Sequence, residues 1–161
     1  MISVQVITPD DWLAWREVRL AALKEAPYAY GSTYEDWVDA PEDRWRQRLG
    51  GEFHNLLVRI DGRPGGIASG VPAEADDGVV EIVSMYVLPS ARGHGVGDRL
   101  IGEIADWART RGASALRLDV TEGNEHATAL YRRHGFRDTA TRTEPGPHDT
   151  RYERTMLLPL A

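Results

Sequence analysis

The spacing of apolar positions changes several times along the chain, and each change marks an element. Residues 3–8 alternate as SVQVIT, the period of a strand with one covered face. Thr8, Pro9, Asp10 and Asp11 then form a turn and a helix start. Over residues 12–26 the apolar period becomes helical. Trp12, Trp15, Val18, Ala22 and Leu23 share a stripe with Arg19, while Arg16 and Glu17 face outward. Pro27 ends this helix. Residues 28–40, YAYGSTYEDWVDA, carry three tyrosines and a tryptophan around a glycine, with no clear period. Such a stretch either covers the core or lines a cleft for an amine or an apolar group.

Pro41, Glu42 and Asp43 open a short helix, as proline and acids suit a first turn, with Trp45, Arg48 and Leu49 turned inward. Gly50 and Gly51 break it. Residues 54–60 predict a strand, Asp61 and Gly62 a hairpin turn, and residues 65–71 (GGIASGV) a strand thin in side-chain volume. Residues 72–78 are a polar loop. The run VVEIVSMYV from Val79 predicts a central strand, and Pro89 stops it. Two hairpin-linked strands leading into it imply an antiparallel half-sheet.

A helical rhythm follows, with Leu100, Ile101, Ile104, Ala105 and Trp107 on one face and Gly112 after its end. Residues 115–120 alternate as ALRLDV. Strand, helix and strand make a crossover unit, so these two strands run parallel. A helix over residues 125–134 carries Ala127, Leu130 and Tyr131 and ends at Gly135 and Phe136. Strands over 136–143 and 152–158, joined by the loop 144–150, complete the chain. The expected architecture is α/β: one domain over residues 1–161, built on a mixed sheet flanked by helices.

Composition narrows the function. Apolar residues make up 42% of the 161 and charged residues 27%, an ordinary globular balance. No apolar run is long enough for a membrane span, and the first residues lack the pattern of a secretory signal. With no cysteine, disulfides, thiolate metal ligands and a cysteine nucleophile are excluded; the cytoplasm is the expected location. A net charge of −6 and a single lysine, Lys24, give no electrostatic footprint for nucleic acid and mildly favour a cationic substrate. The five histidines and the carboxylates show no metal-ligand spacing, so no metal is expected.

The chemistry concentrates between Val79 and Phe136. Arg92, Gly93, His94, Gly95, Val96 and Gly97 form R-x-x-G-x-G between a strand and a helix. Glycines permit positive φ and close backbone approach, and a helix start offers unpaired N–H groups to an anion. The spacing is neither the dinucleotide GxGxxG nor a Walker loop. A second motif follows: Asn124, Ala127, Leu130-Tyr131, then Gly135-Phe136. Together the two resemble the signature of the GCN5-related N-acetyltransferases, the GNAT family, closely over residues 79–136; the first part of the chain fits only in its order of elements.

The resemblance implies an acyl-CoA N-acyltransferase fold whose parallel central strands splay around acetyl-CoA, the expected acetyl donor. It implies that Met85, Tyr86 and Val87 offer backbone hydrogen bonds to the pantetheine arm, that residues 92–97 hold the pyrophosphate, and that Asn124 and Ala127 belong to the same site, Asn124 also capping its helix. Tyr131 is implied as the group serving the departing sulfur; the alternative is a ring packed beside Leu130. Glu81 interrupts an apolar strand and stands where some family members place a base; the alternative is a solvated or arginine-paired carboxylate. The expected reaction is acetylation of a primary amine, first of a small molecule, alternatively of a protein N-terminus or lysine. A CoA-binding regulatory domain without catalysis is the non-enzyme reading. A homodimer stays open, through the last strands or the helices.

Overall fold

The computed structural model describes residues 1–25, 33–145 and 151–160. In chain order the elements are β1 (Ile2–Val6), α1 (Trp12–Glu25), α2 (Tyr34–Val38), α3 (Glu42–Arg48), β2 (His54–Ile60), β3 (Arg63–Pro72), β4 (Val79–Val87), α4 (Val96–Thr110), β5 (Ala115–Thr121), α5 (Glu125–Arg133), β6 (Arg137–Thr143) and β7 (Glu153–Pro159). The strands form one sheet in the order β1-β2-β3-β4-β5-β7-β6. Every neighbouring pair is antiparallel except β4 and β5. This is the expected mixed sheet, with the crossover through α4 supplying its one parallel pair.

Each face of the sheet is covered. On one side Leu56, Val58, Ala68, Val80 and Ile82 pack with Leu100, Ile101 and Ile104 of α4. On the other, Leu57, Ile67 and Tyr86 pack with Trp15 and Val18 of α1 and Trp45 of α3. Fully burying one such side chain contributes roughly 1.5–3 kcal/mol. The thinness of β3 has a packing reason. A Cβ on Gly66 would lie 2.8 Å from Val96 Cγ1 and 2.9 Å from the Tyr86 carbonyl oxygen, and one on Gly70 would crowd Ile104 and Trp107. Glycine lets α4 settle directly on the strand.

The short helix α2 lies in a stretch with no sequence period. Five residues complete little more than one turn, too few for a repeat to show. Its start is set locally: Thr33 Oγ1 accepts from the Asp36 N–H at 3.2 Å, with Glu35 and Asp36 in the first turn. Arg16 of α1 ties it down through the Val38 carbonyl at 3.2 Å. Tyr28 and Tyr30 and most of the 144–150 loop lie outside the described residues.

One irregularity shapes the centre of the sheet. Opposite β3, Ile67 pairs with Tyr86 but Ser69 pairs with Val83, so β4 carries an extra residue. Ser84 takes it up with φ 56°. A bulge of this kind bends its strand and increases the local twist.

Candidate active site

The parallel pair β4–β5 is joined only at Val79, Val80 and Glu81, opposite Ala115, Leu116 and Arg117. Past Glu81, towards the bulge at Ser84, the strands part. The opening is a slot of about 450 Å³, bounded by β4, by residues 118–121 of β5, and by Asn124, Ala127, Leu130 and Tyr131 of the next turn and helix. Backbone polar groups on a strand edge without a ladder partner need another partner. The slot thus presents main-chain hydrogen-bonding groups to an extended ligand. Met85 and Val87 line it. Tyr86 also borders it, but its ring packs on the α1 side and its hydroxyl hydrogen-bonds Glu25 at the end of α1.

The glycine loop lies at one end of the slot. Gly93 and Gly95 have φ of 82° and 80°, conformations in which a side chain is strained. Gly95 is the N-cap of α4 and makes no side-chain cap hydrogen bond, so the leading N–H groups of a 15-residue helix stay available to an anion. Gly97 serves differently. Its φ is not positive; a Cβ there would lie 2.9 Å from Leu130 Cδ2, so it lets α4 and α5 approach. Val96 is buried in the α4 core and contributes only backbone to the loop, while His94 is exposed.

Arg92 Nη2 donates to Glu25 at 2.6 Å and its Nε to the Val87 carbonyl at 3.2 Å. Hydrogen bonds from Tyr86 and then Arg92 hold the Glu25 carboxyl below the usual range, against the opposing effect of burial. Nothing in the sequence pattern marked Glu25, because its partners lie 61 and 67 positions away. In the first turn of α4, Asp98 would oppose an anion, but Arg133 Nη2 at 2.8 Å compensates it, and His134 Nε2 lies within hydrogen-bond distance at 2.7 Å.

Tyr131 and Glu81 both line the slot. Tyr131 is 9% exposed, with its ring edge-on to Phe136 at 5.8 Å between centroids. Burial pushes its phenol up to about 12, so it holds its proton at neutral pH. Asn124 caps α5 by accepting from the Ala127 N–H at 3.2 Å and also borders the slot. Glu81 Oε1 accepts from Arg117 Nη2 at 3.0 Å; Arg117 is its cross-strand partner and also pairs with Asp76. The two acid–base candidates sit on opposite sides of the sheet: Glu81 pairs with Val71 on the face that carries α1, and Tyr131 packs into the α4 core.

Next to the slot is a second cavity of about 240 Å³, on the side of α1, α2 and α3. The two share Arg19, Val83 and Ser84. Its walls hold Trp15, Trp37, Trp45 and Phe53 together with Arg19 and Arg48. The inward reading of Trp45, Arg48 and Leu49 therefore agrees with the structure, and Arg19 is buried on the α1 stripe. His54 stacks on Trp107 at 4.8 Å, away from both hollows. Among the described residues no group of His, Asp and Glu is arranged to hold a metal, and no helix is long and apolar enough to cross a membrane.

A glycine loop opening a helix beside two splayed parallel strands is an acyl-CoA transferase arrangement. Residues 15–136 match the Acetyltransferase (GNAT) family, and the chain belongs to it. It is 42% identical over 134 residues to a streptothricin acetyltransferase of Streptomyces lavendulae, covering 82% of this chain and 67% of that protein. It is 36% identical over 92 residues to an IAA acetyltransferase of Azospirillum brasilense; that match spans 57% of this chain and 60% of the relative, less than two thirds of its length. In fold it is similar to a putative acetyltransferase from Salmonella typhimurium solved with its cofactor acetyl-CoA, with TM-score 0.78 and 23% identity over 100% of this chain and 95% of that one.

Proposed function

We propose that the protein transfers the acetyl group of acetyl-CoA to the primary amine of a small molecule. The observation that carries this is the slot itself, with an uncapped helix start at one end and Glu81 and Tyr131 on opposite faces. The residues fit such a donor: the β4 edge suits an amide-bearing arm, the leading N–H groups of α4 with Arg92 suit a pyrophosphate, and a side chain at position 97 would close the gap between the helices. When bound, acetyl-CoA supplies an electrophilic carbonyl and a sulfur leaving group.

The chain's own groups handle the protons. Glu81, on the face that also carries the aromatic cavity, accepts the proton the amine gives up, directly or through water. Arg117 fixes that carboxylate in place with a hydrogen bond from Nη2. Tyr131, neutral and buried, donates to the developing thiolate from the other face.

The small-molecule preference rests on size and on relatives. The acceptor-side cavity of about 240 Å³ suits a compact molecule. The names of the two relatives above refer to IAA and streptothricin, not to a protein. The test measures CoA release across amines, polyamines, aminoglycosides and peptides, alongside calorimetric binding of acetyl-CoA. Acetyl-CoA binding with turnover of at least one compact amine is expected. Binding without turnover on any amine or peptide would reassign the chain to a regulatory CoA-binding role.

A further inference from the structure

We propose that the acceptor is a compact amine bearing a carboxylate, which seats against Arg48 in the aromatic cavity while its amine reaches the slot past Ser84. This inference rests on the acetyl-transfer reading above and narrows its substrate. Net charge alone favours a cationic acceptor, but the cavity walls have the opposite local sign. The described residues lining it include two arginines and no acid.

The arrangement of Arg48 is the strongest part of the case. Its guanidinium lies 5.1 Å from the ring centroid of Trp15 and 5.4 Å from that of Phe53. It donates only to neutral oxygens: Asn55 Oδ1 at 3.0 Å, Ser69 Oγ at 3.0 Å and Ser84 Oγ at 3.2 Å. A guanidinium has five N–H donors, so three bonds leave two for a ligand. Burial, and then the nearby Arg19 charge, push Arg48 down to about 10, so it is still a cation at neutral pH. Most other guanidiniums with carboxylate partners sit on the surface. This one lies near two rings, desolvated beside a second cation, with no carboxylate partner among the described residues. An incoming carboxylate supplies a charged acceptor to a remaining donor on Nε or Nη1 and relieves the repulsion.

Donors also outnumber acceptors on the walls. The indole Nε1 atoms of Trp15 and Trp45 are buried with no hydrogen-bond partner. The sites of anion and chemistry are contiguous, because Ser84 contacts Arg48 and also lines the slot. A cavity of this volume accommodates a carboxylate on a short carbon skeleton.

The experiment uses the full chain and pairs of acceptors that differ only by the carboxylate: γ-aminobutyrate against propylamine, β-alanine against ethylamine, phenylalanine against phenethylamine, methionine against 3-(methylthio)propylamine. CoA release at saturating acetyl-CoA should favour the acid in at least one pair by roughly 10- to 100-fold in kcat/KM. Arg48→Gln should raise KM for that acid by a similar factor while calorimetric acetyl-CoA affinity stays at the parent value, and Arg48→Lys should recover part of the loss. Titration of tryptophan fluorescence with the same pairs, without acetyl-CoA, provides a readout independent of turnover. Saturable quenching by the acids and not by the matched amines supports the site. Turnover of the plain amines equal to or above that of the acids in every pair overturns the inference and leaves acetyl transfer standing. No acetyl-CoA binding would remove the function reading, and the fluorescence pairs alone would then decide for or against the anion site.

Discussion

The slot and the aromatic cavity meet at Val83 and Ser84, yet they are made by different means. The slot of about 450 Å³ is a gap in hydrogen bonding: two parallel strands pair for three residues and then part. The cavity of about 240 Å³ is made by side chains from three helices, a loop and two strands. Glu81 and Tyr131 share the slot, whereas the charged side chains among the described residues of the cavity walls are all positive. A backbone-built site tolerates change at its rim but not bulk at its glycines. A side-chain-built site changes its chemistry with one substitution. The first suits a constant donor, the second a particular acceptor.

The variant that tests this division most severely is Tyr131→Phe. It keeps the ring against Phe136 and removes the hydroxyl, so turnover should fall roughly 10- to 1000-fold while the melting temperature changes little. Steady-state kinetics and thermal melts read both quantities. Parent-like turnover would leave Tyr131 with only its packing role.

Gly95→Asp strikes the backbone-built end. It adds a side chain at φ 80° and a negative charge at a helix start that should receive an anion. Acetyl-CoA affinity should drop about tenfold or more by calorimetry, with the circular dichroism spectrum retained. Arg92→Ala should do less, because Glu25 already neutralises part of that charge. Equal affinity in folded Gly95→Asp would move the pyrophosphate elsewhere.

Glu81→Gln and Arg117→Gln separate a base from a strut. If Glu81 takes the amine proton, Glu81→Gln should lower turnover by a few-fold to about tenfold, most at lower pH where the amine is protonated. Arg117→Gln should then lower turnover less than Glu81→Gln, since it removes a positioning hydrogen bond and keeps the carboxylate. Equal losses in both would make the pair structural. Each variant should cost less than about 1 kcal/mol of stability, since both side chains are partly exposed.

The smallest effect concerns pH. The folded Glu25 carboxyl titrates below its ordinary value of 4.5, so it contributes stability above that pH and loses it as pH falls through the depressed folded value. Glu25→Gln should flatten the acid limb of a melting-temperature profile below about pH 4.5 and leave the neutral region nearly level. An unchanged acid limb would mean the contact is absent in solution.

The slot was legible in the sequence because its parts are close in the chain and each leaves a local mark. Gly93 and Gly95 stand out by spacing, Asn124 by its cap position, and Tyr131 by its place on a helical face. The splay was implied only by family resemblance, since a missing hydrogen bond has no residue of its own. Gly97 illustrates a partial reading: close approach is its role, and positive φ is not. Glu25 was invisible because a carboxylate at a helix end has many ordinary uses, and its partners come from the strand and loop far along the chain. The charge of the cavity was hidden for the same reason. Arg19 and Arg48 are separate marks in the sequence, and only α1 and α3 packing on the same sheet face turns them into neighbours.

The extra residue at Ser84 also acts as a phase change in β4. Before it, Val80 and Ile82 point to the α4 side and Glu81 and Val83 to the α1 side. After it, Met85 and Val87 take the α4 side and Tyr86 the α1 side. Even and odd positions have exchanged faces within one strand. Removing Ser84 would restore an unbroken alternation and leave Met85, Tyr86 and Val87 on the faces they hold now. Tyr86 would still face Glu25 and Met85 the gap beside Gly97, but the strand would lose its bend and Arg48 one of its three acceptors. One serine thus accounts for the whole exchange of even and odd positions, and it lines both the slot and the cavity.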